Sequence, residues 1–180
     1  PSSAASDVYK RQGMRWNQSG WWPGTTYTLM HICARGSKSG ADKVGRIVDG
    51  FGINWLSGYH DTAEGSFYHN GWIIENGNDR GTDENFLVCI DRLNSVRAKG
   101  KGGGGATDSG YATSSGHGAP STANGIGLGC GLYSGDINST GGGENCDWEC
   151  VMIACWSGNK SDSDCNTPVS YTHLRAHETS

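Results

Sequence analysis

The residues best suited to bind a ligand lie between Trp55 and Trp72, where aromatic side chains alternate with histidine, aspartate and asparagine. An exposed aromatic ring can stack on the apolar face of a pyranose, and Asn, Asp or His side chains then fix the orientation of the sugar. The mixture therefore predicts a ligand-facing edge. Its candidate ligand-binding residues are Tyr59, His60, Asp61, His69 and Asn70. The competing interpretation is that Trp55 and Trp72 are core aromatics and that His69 is hydrogen-bonded in the interior.

A candidate metal site lies in the acidic segment 76–84, which contains the proposed ligands Asp79 and Asp83. Calcium takes several oxygen ligands that converge on one loop. Arg80 stands where the alternating pattern of such a loop requires another oxygen, so the segment fails as a linear calcium site. Convergence of Asp79, Asp83 and Asp136 in the folded chain would still provide a calcium site. A solvated acidic turn is the alternative, and no other cofactor is predicted.

The chain also carries seven cysteines. They are Cys33, Cys89, Cys130, Cys146, Cys150, Cys155 and Cys165. Five of them fall in predicted strands, where they are either buried thiols or partners in disulfides. The odd number leaves at least one unpaired, and the sequence does not determine the connectivity. The spacing from Cys146 to Cys155 lacks the Cys-x2-Cys pair and neighbouring histidine of a zinc site, so zinc is not predicted.

Several other classes of protein are disfavoured by composition and motifs. The formal net charge is −4 and no basic block is present, so a nucleic-acid partner is not expected. No apolar run approaches the roughly 18 residues of a membrane span. Neither the Gly-x-Ser-x-Gly elbow of serine hydrolases nor the His-Glu-x-x-His motif of zinc proteases occurs.

The elements that must position these side chains are predicted to be strands. The 180 residues include 30 glycines, about one in six against a usual roughly 7%, and no segment shows a helical stripe. Runs of β-formers and period-two alternation predict strands at 25–35, 43–49, 54–59, 66–74, 85–92, 95–99, 125–133 and 148–156. The segment 100–124 is either a long excursion or contains strands of weak composition. Short strands with glycine-rich turns favour an all-β, antiparallel β-sandwich.

The two ends of the chain resemble translated sequencing-adapter DNA. A DNA sequence that encodes Asp7–Gln12, read as its reverse complement with a shift of one base, encodes Ser170–His173. One inverted DNA repeat thus explains both ends. We therefore expect residues 1–12 and 169–180 to be adapter-derived and disordered. Residues 13–168 are expected to be one domain and a fragment of a longer protein, which would have further domains in the same chain.

The ordered series of strands resembles laminin-G-like domains of the concanavalin A-like lectin and glucanase superfamily. The segments that carry the resemblance are Thr28–Arg35, Val44–Ile47, Asn54–Tyr59, Gly65–Trp72, Ile126–Gly129, Asp147–Trp148 and Val151–Trp156. The resemblance covers about Thr25 to Gly158. It implies a jelly-roll sandwich and an extracellular or cell-surface location for a secreted protein. The glycine-rich segment 100–124 and the cysteines from Cys146 onward depart from the family pattern.

The resemblance also implies where catalytic carboxylates would lie if the chain were an enzyme. The glucanase branch uses carboxylates in the pattern Glu-x-Asp-x-Glu, which places them on one face of a strand. The nearest residues here are Glu144, Asp147 and Glu149, and only the last two share a face, so no enzyme activity is predicted. We expect a non-catalytic carbohydrate-binding or adhesion module whose partner is a glycan or glycoprotein. A glycoside hydrolase of the glucanase branch and a ligand-free structural domain of a larger surface protein are the alternatives.

Overall fold

The structure, a computed structural model, describes twelve segments of the chain. They are residues 14–16, 26–35, 45–50, 54–60, 63–75, 78–79, 86–92, 95–102, 105–108, 112–113, 126–129 and 148–165. These segments form thirteen β-strands in two antiparallel sheets, together with one helical turn at 162–165. The prediction of an all-β, antiparallel protein is confirmed. Within these segments, no helix has the length and apolar character needed to cross a membrane.

Among the described residues, sheet I has seven strands. In spatial order they are β1 (Met14–Trp16), β12 (Ile126–Leu128), β3 (Val48–Gly50), β4 (Trp55–His60), β5 (Ala63–His69) and β6 (Trp72–Ile74), while β7 (Asn78–Asp79) also pairs with β5. The predicted break at Asn70-Gly71 is confirmed as the turn between β5 and β6. Sheet I therefore carries the whole aromatic series on neighbouring strands.

Sheet II has six strands in the part of the chain that the structure describes. In spatial order they are β10 (Gly105–Asp108), β9 (Ser95–Gly102), β8 (Leu87–Arg92), β2 (Tyr27–Arg35) and β13 (Trp148–Ser157), while β11 (Ala112–Thr113) pairs with β9. The end of β9 and the strands β10 and β11 lie in the glycine-rich segment 100–124. Their glycine-rich composition does not predict strands, because glycine contributes no alternation of apolar and polar side chains.

The two sheets face each other around one hydrophobic core. Its buried residues come from both sheets and include Tyr27, Leu29, Cys33, Ile47, Val48, Trp55, Tyr59, Phe67, Leu87, Cys89, Val96, Ala98, Ile126 and Leu128. Alternate residues of β2, β4 and β8 point inward, as strand pleating requires. At Gly58 the sheets come so close that an added Cβ would lie 2.7 Å from the sulfur of Cys89 on the other sheet.

The outer face of sheet II is packed by the helical turn. Buried Cys165 lies there against Met30 and Ile90. The turn is capped, since the Ser161 hydroxyl accepts from the amide of Asp164 at 3.2 Å and the Asp164 carboxylate accepts from the amide of Ser161 at 3.0 Å.

Two arginines attach the turn to the sheet. Arg92 and Arg97, on β8 and β9, each hold Asp162 at 3.0–3.1 Å, and Arg92 also donates to the carbonyl of Lys160. These contacts fix the segment 160–165 on β8 and β9.

Candidate functional site

An aromatic cluster stands on the outer face of sheet I. It consists of His60, Tyr68 and Trp72, all half-buried. The ring centroids of His60 and Trp72 are 5.1 Å apart and those of Tyr68 and Trp72 are 5.0 Å apart, with interplanar angles of 75° and 77°. Edge-to-face contacts of this kind are favourable and hold each ring at a fixed angle. Trp72 lies at the centre of the cluster.

Strand pairing explains why these three rings meet. Tyr68 on β5 is directly opposite Trp72 on β6, so their side chains leave the sheet on the same side. His60 is the last residue of β4 and follows Tyr59, whose side chain points inward, so the imidazole points outward. A β-bulge helps to bring it there, because the register between β4 and β5 shifts after Gly58 and leaves Gly65 as the extra residue.

Asn70 lies in the turn that joins two strands of the cluster. It is exposed and has a φ of 58°, a conformation that Asn tolerates better than most residues. Its amide donates to the carbonyl of Asn54 at 3.1 Å, and the amide of His69 donates to the carbonyl of Gly71 at 2.9 Å. The turn is therefore held against the start of β4, with the Asn70 side chain left at the surface.

The side chains of two predicted ligand residues point into the core between the sheets. The side chains of Tyr59 and His69 are fully buried, which is contrary to the expectation that they line a solvent-facing edge. The Tyr59 hydroxyl donates to the carbonyl of Cys33 on sheet II, and His69 Nε2 lies 3.0 Å from Asp91 Oδ2. Pleating is the reason, since each has a neighbour in the sequence, His60 or Tyr68, on the outer face. The alternative interpretation is confirmed for Trp55 and His69, which are fully buried, but not for Trp72, which is half-buried and outside the core.

The inner face holds a polar cluster that bridges the two sheets. Asp91 on β8 accepts from the Tyr27 hydroxyl at 2.9 Å and contacts His69 from sheet I. The His69 ring stacks on Trp55, with centroids 5.4 Å apart and planes 20° apart. Burial, followed by the charge of Asp91, raises the pKa of Tyr27 well above its ordinary value. The Tyr27 phenol therefore stays protonated and donates.

A second bridge pairs a histidine with a serine. His31 Nε2 on β2 lies 3.0 Å from Ser57 Oγ on β4. Burial lowers the pKa of His31 to about 3, and its Nδ1 has no hydrogen-bond partner within the described segments. A neutral histidine beside a serine hydroxyl is the arrangement in which a general base activates a nucleophile. Both side chains are fully enclosed, however, so a substrate could reach them only if the sheets separated.

The interior cluster was not singled out from the sequence. The sequence feature that indicates this cluster is a polar residue inside an apolar run. His31 lies within 29–33 and Asp91 lies within 87–92. Buried polar groups need partners, so two such residues in facing strands point to bonds between the sheets. Nothing in the linear spacing identified which strands would face each other.

No family model, curated protein or solved structure matches this chain.

The remaining predicted site residues lie partly outside the described segments. Asp61 and Asp83 are outside them, as are Glu144 and Asp147. The backbone of Asp79 is described and pairs with Ala63, the first residue of β5. Among the residues that the structure describes, no three His, Cys, Asp or Glu side chains are grouped to hold a metal ion. Calcium binding stays a prediction.

Proposed function

We propose that this protein is a non-catalytic carbohydrate-binding or adhesion module with a concanavalin A-like jelly-roll fold. The observation that carries the proposal is the aromatic cluster of His60, Tyr68 and Trp72 on the outer face of sheet I. Two antiparallel sheets around a shared core are consistent with such a sandwich. The partner is a glycan or glycoprotein, and the function belongs to a secreted or cell-surface protein.

The chemistry of the cluster suits a sugar. The open face of an indole or phenol ring binds the C–H face of a pyranose, and a ring already fixed by its neighbours loses little conformational entropy on binding. In this proposal, Trp72 and Tyr68 provide the stacking rings. The imidazole of His60 and the exposed amide of Asn70 supply donors and acceptors for sugar hydroxyls.

A glycan array with the full 180-residue chain tests the proposal, followed by calorimetric titration of any ligand found. Trp72→Ala should weaken binding at least tenfold, because it removes the central ring. Trp156→Ala is the matched control. Trp156 is also half-buried, but it lies on the outer face of sheet II, and its loss should leave affinity unchanged.

Two results would replace the proposal with one of its alternatives. A folded chain that binds no glycan would favour the ligand-free structural domain. Hydrolysis of β-glucan that is lost in Glu149→Gln would favour the glycoside hydrolase, since Glu149 is the exposed carboxylate at the start of β13. Equal weakening by Trp72→Ala and Trp156→Ala would reject the aromatic cluster as the binding surface.

A further inference from the structure

Two cysteines face each other across sheet II. Cys33 on β2 and Cys150 on β13 are direct partners in the antiparallel register, although 116 residues separate them in the chain. Both side chains point toward the core. We propose that Cys33 and Cys150 form a redox-active pair that closes into a disulfide across β2 and β13.

The backbone geometry permits this bond. Directly opposed residues of antiparallel strands have Cα atoms about 4.5–5.5 Å apart. Disulfides span Cα separations of about 4.4–6.8 Å. Closure therefore needs rotation of the two side chains and no separation of the strands.

The two thiols differ in access. Cys33 is fully buried between strands, whereas Cys150 is half-buried on β13, the last strand of sheet II in the described part of the chain. The register shifts next to Cys150, which leaves Val151 as the extra residue of a bulge, with 67% of its surface exposed. A small reagent can therefore reach half-buried Cys150 more readily than Cys33, which is fully buried.

The difference in access assigns the order of reaction, because Cys150 is half-buried and Cys33 is fully buried. The neighbouring Cys33 thiol lowers the pKa of Cys150, whereas Cys150 and burial raise the pKa of Cys33. The Cys150 thiolate attacks one sulfur of a small disulfide such as oxidised glutathione, and the other sulfur leaves as a thiolate. Cys33 then gives up its proton to that thiolate or to water and attacks Cys150 Sγ, which releases the second glutathione thiolate. Two protein thiols are oxidised and one glutathione disulfide is reduced.

The other described cysteines lack this arrangement. Cys155 lies on the same strand and is also half-buried, but it faces Leu29. Burial raises its pKa to about 12. Cys89 faces His31, and Cys165 packs on the outer face of the sheet. Cys155 is therefore the matched control for Cys150.

The test exposes the reduced 180-residue chain to oxidised glutathione, blocks remaining thiols with N-ethylmaleimide, and maps the cysteines by peptide mass spectrometry. We expect a linked pair of peptides that contain Cys33 and Cys150, and the link should persist in Cys155→Ser. Cys33→Ser should trap glutathione on Cys150, and Cys150→Ser should leave Cys33 reduced. Iodoacetamide should also label Cys150 in the unaltered chain at least tenfold faster than Cys155, a measurement that needs no variant.

Three outcomes would overturn the proposal. They are a folded chain in which Cys33 stays reduced, a link from Cys33 to Cys89 in place of Cys150, and equal labelling rates for Cys150 and Cys155.

Discussion

The close approach of the two sheets at Gly58 predicts a large and specific loss of stability in Gly58→Ala. Gly58 has a φ of +94°, which side-chain-bearing residues rarely adopt. The new Cβ would also lie 2.7 Å from Cys89 Sγ and 2.8 Å from His31 Cε1, both on the opposite sheet. Because Gly58 lies on β4 of sheet I, the methyl group would force the sheets apart beside the bridge between His31 and Ser57.

Two other glycines allow the backbone effect to be separated from the contact between sheets. Gly158 has a φ of +75° and open space around its Cβ position, so Gly158→Ala should cost only the backbone strain, about 1–3 kcal/mol. Gly65 has a φ of +81° and a contact of 3.2 Å with Ala98 Cβ, so Gly65→Ala should cost slightly more. Overpacking adds about 1–3 kcal/mol at Gly58, which gives a total of about 2–6 kcal/mol there.

Urea unfolding of the three variants, followed by tryptophan fluorescence, measures these differences. The expected order of destabilisation is Gly158→Ala, then Gly65→Ala, then Gly58→Ala. Combining Gly58→Ala with Cys89→Ala should cost less than the sum of the single changes, because the nearest clashing atom is removed. Equal losses at Gly58 and Gly158 would refute the inference that the sheets are in close contact at Gly58.

Three further predictions concern buried and capping groups. The folded chain keeps His31 neutral down to a pKa of about 3 while the unfolded chain is protonated near 6.5, so this contribution to stability is full above pH 6.5 and is lost as the pH falls toward 3. The loss amounts to about 5 kcal/mol. Urea unfolding at several pH values should show that the free energy of unfolding depends less steeply on pH in His31→Gln than in the unaltered chain, and an equal dependence in both would contradict this. Asp91→Asn should lower the free energy of unfolding by about 2–4 kcal/mol in urea, because it weakens the bridge between the sheets, and a loss below about 0.5 kcal/mol would contradict that role. Hydrogen bonds from Ser161 lower the pKa of Asp164, so Ser161→Ala should return that pKa toward its ordinary value in an NMR titration, and an unchanged titration would show that the cap does not form in solution.

Most strands were predictable because their signals are local. Alternation and β-branched runs located the strands now seen at 27–35, 55–60, 87–92 and 148–157 to within a few residues. The glycine-rich strands β10 and β11 carried no such signal. These two strands form by hydrogen bonding to β9, and their own composition does not predict that pairing.

The candidate site was only partly predictable. Alternate side chains of a strand point to opposite faces, but the sequence between Trp55 and Trp72 does not show which face is the inner one. The sequence identified the ligand-like mixture between Trp55 and Trp72, and adjacent residues in it separate cleanly in the structure. His60 and Tyr68 lie on the outer face, while Tyr59 and His69 lie in the core.

The sequence by itself determined an all-β chain, the location of most of its strands and the segment that is rich in sugar-binding residue types. The tertiary structure decided which of those residues are accessible and which partners the interior groups have. The contact between Asp91 and His69 joins opposite sheets, and the contact between Cys33 and Cys150 joins strands more than a hundred residues apart. Such pairings depend on sheet order and register, which are set by burial of the whole core rather than by the local pattern of any one strand.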